Sequence, residues 1–347
     1  MSGTDVLEPG VDTARLGRWI AATLGGPAAP VQVTRLEGGQ SNPTYLVTRG
    51  RDRFVLRRKP GGTLLPSAHA VDREYRVMAA LAASDVPVAR VHALCEDETV
   101  IGTAFYLMEF VQGRVLWDPA LPGVPAGERS RMYDELSRVI AALHSIDPDA
   151  IALGDYGRRG QYVVRQVARW SRQYQASRTE QIEAMDRLIT WLTEHVPADD
   201  ETRIVHGDYR LDNVIFHPSE PRVVAVLDWE LSTLGSPLAD FAYHCMVWRV
   251  EPGVFRGLAG HDLAALGIPS EAEHVAAYCR RTGRAGIARA DWEYYIVFNM
   301  FRLAAIMQGI MARALSGTAA SSEALEMGRR ARPLAELAWR QVERLRE

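Results

Sequence analysis

Lysine is almost missing from this sequence. Lys59 is the only one, so every other position in the total of 40 Lys and Arg is arginine. We read that imbalance as compositional bias, and it leaves a single ammonium group to locate. Excess charge is missing too. The net charge is -3 at pH 7 and the pI is near 6.3, so the whole-chain field asks for no nucleic acid or other polyanion. Cysteines are few: Cys95, Cys245 and Cys279 stand too far apart for a metal-ligand or redox motif, which fits a reduced compartment. The polar, acidic N-terminus has no apolar signal core, and no continuous apolar run approaches the ~18 residues of a membrane span. The expectation is a cytoplasmic protein without a membrane partner, as monomer or homodimer. What remains is ordinary: 347 residues, 47% hydrophobic and 24% charged, enough chain for two cores.

Hydrophobic spacing orders the elements. Leu16, Trp19, Ile20 and Leu24 predict a short amphipathic helix over 11–24. Val31–Leu36, Tyr45–Thr48 and Phe54–Arg57 predict three strands, with a Gly-rich loop after the first and a hairpin turn at 49–52. A Gly/Pro-rich loop from Pro60 to Pro66 leads to a helix over Ala70–Ala83. Val88–Leu94 and Phe105–Phe110 are two more strands. Helical patterns then dominate, at Glu128–Ile146, Gln161–Gln175, Thr179–His195, Asp291–Ala314 and Ala319–Arg346. Short strands interrupt them at Ile204–His206, Val214–Phe216 and Val223–Leu227. The order implies an α+β fold: a small β-rich lobe over residues 1–111 and a larger, mainly α-helical lobe over 112–347.

One stretch concentrates chemistry. His206-Gly207-Asp208-Tyr209-Arg210-Leu211-Asp212-Asn213 lies between two apolar strands, and Asp228-Trp229-Glu230 ends a third. A carboxylate, an amide and a second carboxylate thus sit at strand ends. Phosphoryl transfer needs such a set: one carboxylate for the attacking hydroxyl, and oxygen donors for Mg²⁺ on the phosphates. A lone His-Gly-Asp is also an ordinary turn; Asp208, Asn213 and Asp228 together favour chemistry.

The spacing resembles the protein-kinase catalytic loop H-R-D-x-x-x-x-N followed by D-F-G. With Gly207 for Arg and Trp229 for Phe, it is similar to the aminoglycoside phosphotransferase and choline kinase branch. Leu64 to Arg76 and Gly235-Ser236-Pro237-Leu238-Ala239-Asp240 resemble the subgroup that includes the kinase-like domain fused to some acyl-CoA dehydrogenases. The resemblance covers roughly residues 30–315 and implies a protein-kinase-like two-lobed fold using ATP and Mg²⁺. It makes Asp208 the base and gives Asn213 and Asp228 to the metal; Glu230 either joins them or faces water. Gly38, Gly39, Gln40, Ser41 and Asn42 become the loop over the triphosphate, although Gly-Gly is equally a hairpin turn. Arg57 takes the place of the third-strand lysine, with Lys59 two residues on along the same face. Glu74 matches its carboxylate partner. Met108, Glu109, Phe110 and Val111 fall at the connector that meets adenine. His206 and Asp240 resemble residues that brace the loop.

The acceptor is poorly encoded. Tyr243 and Trp248 follow the metal motif, and Asn299 and Arg302 share a helix face. An arginine there suits an anionic small-molecule hydroxyl acceptor, such as a hydroxyacyl thioester of coenzyme A, or else forms a structural ion pair. No dense acidic cluster awaits a polycationic aminoglycoside. A protein kinase would need an activation loop, and the Gly235-Ser236-Pro237 turn comes too soon after Asp228. A catalytically silent nucleotide-binding module would have no need of Asp208, Asn213 and Asp228 together.

Overall fold

Alternating and helical apolar patterns resolve into two units. The computed structural model describes residues 11–36, 42–60, 70–198, 200–318 and 323–346. The first unit runs to Gly113 and adds Val224–Glu230; the second takes Arg114–Val223 and Leu231–Glu347.

In the first unit, α1 (Thr13–Leu24) starts where the Asp12 carboxylate accepts the Arg15 N–H. Strands β1 (Gln32–Arg35), β2 (Thr44–Arg49) and β3 (Asp52–Arg58) precede α2 (Val71–Leu81), β4 (Val91–Cys95) and β5 (Phe105–Glu109). The strands form one antiparallel sheet in the order β1-β2-β3-β5-β4. Phe54 and Leu56 point from β3 into the core that α1 closes with Leu16 and Ile20. Period two turns Arg57 to the opposite face, in register with Thr44 and Tyr106. On α2 the buried stripe is Val71, Glu74, Val77, Met78 and Leu81, so a carboxylate lies within an otherwise apolar face.

The expected division into two continuous stretches at 111 and 112 needs one correction. Val224–Glu230 belongs with the first unit. Its Val226 bridges Val88 in parallel, and the Val226 N–H donates to the Pro87 carbonyl at 2.8 Å.

The second unit begins with α3 (Ala126–Ser145), α4 (Tyr162–Ala176), α5 (Glu183–Glu194), β6 (Arg203–Val205) and β7 (Val214–Phe216). After β8 (Val223–Val226) come β9 (Thr233–Gly235), α6 (Pro237–Cys245), α7 (Leu263–Leu266), α8 (Glu271–Thr282), α9 (Arg289–Leu315), α10 (Ala324–Arg329) and α11 (Ala331–Arg346). β6 pairs with β9. Ser236 caps α6 through the Ala239 N–H, and Pro237 occupies its first turn, where a missing N–H costs nothing. Among the described residues α9 alone is long and apolar enough to cross a membrane. However, 78% of its apolar window is buried inside the protein, and it packs on α4, α6, α10 and α11. The single helix expected over 319–346 is two, α10 and α11, with Pro333 tolerated in the first turn of the second.

Candidate active site

The loop after β6 is clamped through its backbone. Gly207 has φ +84°, and a Cβ there would lie 2.8 Å from the Leu231 carbonyl oxygen, so the turn requires glycine. Asp240, in the first turn of α6, accepts the His206 N–H at 2.7 Å and the Gly207 N–H at 2.8 Å. His144 Nε2 stands 3.2 Å from the same carboxylate, and its Nδ1 lies 2.8 Å from the Tyr278 hydroxyl. Burial works to raise the Asp240 carboxyl, but hydrogen bonding and charge from His144 outweigh it and hold the group below the usual range. The buried His206 ring accepts the Asp208 N–H at 3.2 Å, so it serves the loop.

Asp208 and Asn213 meet. Asn213 Nδ2 donates to the Asp208 carbonyl and to its Oδ2, both at 2.8 Å. The Asp208 side chain keeps 21% of its surface exposed, and Arg210 Nε lies 3.5 Å from its Oδ1. Burial and the nearby Asp208 charge raise the buried Tyr243 phenol above its ordinary range. Arg210 also reaches Asp212 at 2.8 Å, and Arg256 reaches it at 2.5 Å. Arg256 lies 4.8 Å over the Trp117 ring. Arg210, Arg256, Trp117, Tyr133, Tyr243 and Phe255 line one pocket.

Two expected acceptor residues are instead scaffold. Trp248 is buried and donates to the Pro269 carbonyl at 2.8 Å. Asn299 is fully buried and donates to the Ala239 and Tyr295 carbonyls. Arg302, expected beside them, gives its guanidinium to the Gly207 carbonyl at 2.6 Å. The face shared by Asn299 and Arg302 is the inward face of α9, where polar heads must be satisfied by backbone.

In the first unit Arg57 draws carboxylates together. Its Nε is 2.9 Å from Glu74 Oε2, and one terminal nitrogen lies 2.7 Å from Asp228 and 3.3 Å from Glu230. Glu74 also accepts from Asn42 at 2.6 Å and from the Tyr106 hydroxyl at 3.0 Å. Burial pushes the Glu74 carboxyl up to about 7, against the pull of Arg57, while the Glu74 and Asp228 charges overcome burial to raise Arg57. The Lys59 N–H donates to the Ala104 carbonyl, and among the described residues its ammonium has no partner. Asn42, expected over phosphate, is buried and holds Glu74; Gly38, Gly39, Gln40 and Ser41 lie outside the described residues. Met108 and Glu109 end β5, and the Glu109 N–H donates to the Arg90 carbonyl. Phe110 and Val111 follow, with Arg53 stacked over Phe110 at 4.4 Å. Asp228 adopts φ +63°, a left-handed conformation that Asp tolerates better than most side chains.

Among the described residues no three His, Cys, Asp or Glu side chains cluster as a metal cage. Mg²⁺ takes few protein ligands and wants hard oxygens. Asp228 and Glu230, converging on one guanidinium nitrogen, fit that demand.

Residues 32–292 match the model of the phosphotransferase enzyme family, APH. The chain belongs to this family. A crystallised Ralstonia eutropha protein named for the aminoglycoside phosphotransferases is 55% identical and covers 96% of this chain and 98% of its own, with a TM-score of 0.88. Acyl-CoA dehydrogenase family member 10 of Mus musculus is 45% identical over 327 residues, 93% of this chain. This phosphotransferase-family chain spans 30% of that relative and 40% of family member 11 from the same organism. A thermostable mutant of APH(4)-Ia, solved with AMP-PNP and hygromycin B, shares 16% identity over 94% of this chain and 98% of its own. Its TM-score of 0.60 is a likeness of fold. The small antiparallel sheet followed by a helix-rich lobe is thus the protein-kinase-like α+β fold that the sequence resembles.

Sequence reasoning did not single out Tyr106, His144 or Arg256. They lie 32, 96 and 44 residues from the carboxylates they hold, so no local spacing marks them.

Proposed function

We propose that this chain transfers the γ-phosphate of ATP to a hydroxyl of a small anionic molecule, with Mg²⁺ as cofactor. The observation that carries the reading is Asp208, with its carboxylate held by Asn213 on a loop clamped by Asp240. A carboxylate so fixed can take the proton of the acceptor hydroxyl as that oxygen bonds to the γ-phosphorus and the bond to ADP breaks. Arg57 offers a guanidinium fork for the α/β-phosphates, positioned by Glu74. Asp228 and Glu230, which converge on one point, would hold Mg²⁺, and the ion would supply neutralisation of charge on the phosphate oxygens. AMP-PNP in the hygromycin phosphotransferase supports ATP as donor.

The pocket beside Asp208 supports an anionic acceptor. Two guanidiniums, Arg210 and Arg256, line an aromatic-walled pocket, Arg210 between Asp208 and Asp212 and Arg256 on Asp212, so the pocket offers arginine N–H donors and no dense acidic cluster. A polycationic aminoglycoside would want the reverse. The names of the acyl-CoA dehydrogenase relatives make a hydroxyacyl thioester of coenzyme A the first candidate. The test incubates the chain with Mg-ATP and a panel of hydroxyacyl-CoA thioesters, hydroxy acids and aminoglycosides, and detects phosphate esters by mass spectrometry. A phosphorylated anionic acceptor, lost on adding EDTA, is expected. Phosphorylation confined to aminoglycosides would replace the acceptor class, and turnover indifferent to EDTA would contradict the metal.

A further inference from the structure

Arg302 is a buried charge that the proposed chemistry leaves unused. It projects from the middle of α9, is 7% exposed, and among the described residues forms no ion pair. Its Nε has no hydrogen-bond partner there either. Such a group is costly, and a methionine of similar length would pack in an apolar helix face at lower cost. The Arg302 guanidinium lies over two rings, 5.6 Å from the Trp170 centroid and 5.1 Å from that of Tyr243. Among the described residues its one hydrogen bond is to the carbonyl of Gly207, at 2.6 Å.

That carbonyl has a defined mechanical place. The Gly207 N–H belongs to the peptide plane before Gly207, and Asp240 holds that plane. The Gly207 carbonyl belongs to the plane after it, which also carries the Asp208 N–H. His206 holds the N–H side of this second plane and Arg302 the carbonyl side. Glycine has the widest backbone freedom of any residue. With both planes fixed, the torsions of Gly207 are set, and so is the direction in which Asp208 leaves the chain. The Tyr243 ring, one of those lining the pocket, lies under Arg302.

We infer that Arg302 is a positioning residue, which locks the Gly207–Asp208 peptide plane and so the direction in which the Asp208 side chain leaves the backbone. This rests on the reading of Asp208 as the base. A displacement of about 1 Å at such a group can cost about a hundredfold in rate.

The test compares wild type with Arg302→Met and Arg302→Lys, using Mg-ATP with water as the acceptor. Thermal melting and hydrogen exchange over residues 206–213 are measured on the same samples. In Arg302→Met, removing an unpaired charge offsets the lost bond to Gly207, so the melting temperature should stay within about 5 °C. The kcat for ATP hydrolysis is expected to fall about 100-fold with KM for ATP within about twofold. Amide exchange at Asp208 should speed up about tenfold. Arg302→Lys, which keeps one donor, should recover part of both losses. A large drop in melting temperature with wild-type kcat and wild-type exchange would make Arg302 merely structural and overturn the inference. If Arg302→Met does not fold, a Lys variant indistinguishable from wild type in kcat and exchange overturns it equally. No ATP hydrolysis by wild type would count against the proposed function instead. The exchange measurement would then still decide the lock: unchanged exchange overturns it, and faster exchange supports it.

Discussion

Arg57 spends one guanidinium on three carboxylates: Glu74 on one edge, Asp228 and Glu230 on the other. Lys59 lies just past the end of β3 and holds none of them. Arg57→Ala should therefore raise the KM for Mg-ATP about tenfold or more, because the paired hydrogen bonds of the fork are lost. It should also cost about 3 kcal/mol of stability, since it leaves Glu74 buried without its cation. Lys59→Ala should change neither by more than about twofold or 0.5 kcal/mol. Nucleotide titration and urea unfolding of the two variants check this; a larger nucleotide defect in Lys59→Ala would reverse the roles. Gly207→Ala is a second test at this scale. A left-handed Ala costs about 1–2 kcal/mol, and its Cβ would press on the Leu231 carbonyl 2.8 Å away. Melting should show that loss, and turnover should fall with it; an alanine variant with wild-type melting would mean the loop relaxes freely. At this scale the candidate set was legible because Asp208, Asn213 and Asp228 stand close together in sequence at strand ends. Arg302 and Asn299 were not, because helical spacing shows that two side chains share a face and not whether that face meets solvent or core.

Helices α6 and α8 bring His244 and His274 together, Nε2 to Nε2 at 3.1 Å, both buried. Burial pushes His244 down to about 4, with Asp240 opposing, and lowers His274 well below its ordinary value, helped by His244 and Arg281. The ordinary value is 6.5 for both. Between 6.5 and the lowered values the unfolded chain binds protons that the folded chain refuses. The stability from this pair is thus complete above about pH 6.5 and falls as pH drops through that window, by up to about 1.4 kcal/mol per pH unit for each ring. Urea midpoints at pH 7.5, 6 and 5 should fall steeply. His274→Phe, which keeps an aromatic beside Phe241, should lose about half the slope. Equal slopes in the two proteins would rule the pair out as the source. The elements themselves were mostly readable from apolar period, and their ends less so. A run of residues such as 319–346 looks like one helix until packing against α9 divides it.

The molecule as a whole departs from a simple reading of chain order in one place. Val224–Glu230 leaves the second unit's stretch of sequence and joins the first, carrying Asp228 and Glu230 to Arg57. No local pattern encodes that, because it depends on a bridge between Val88 and Val226 across 138 residues. The family, by contrast, is written in short motifs, and the acyl-CoA dehydrogenase family relatives carry it as part of longer chains. The proposed function comes down to one carboxylate. The most direct measurement takes Asp208→Asn and wild type side by side, reading Mg-ATP affinity by titration and γ-phosphate transfer by isotope release. Affinity within about twofold with transfer reduced about a hundredfold or more is expected, the range that loss of a general base produces. Transfer at the wild-type rate would contradict Asp208 as the base.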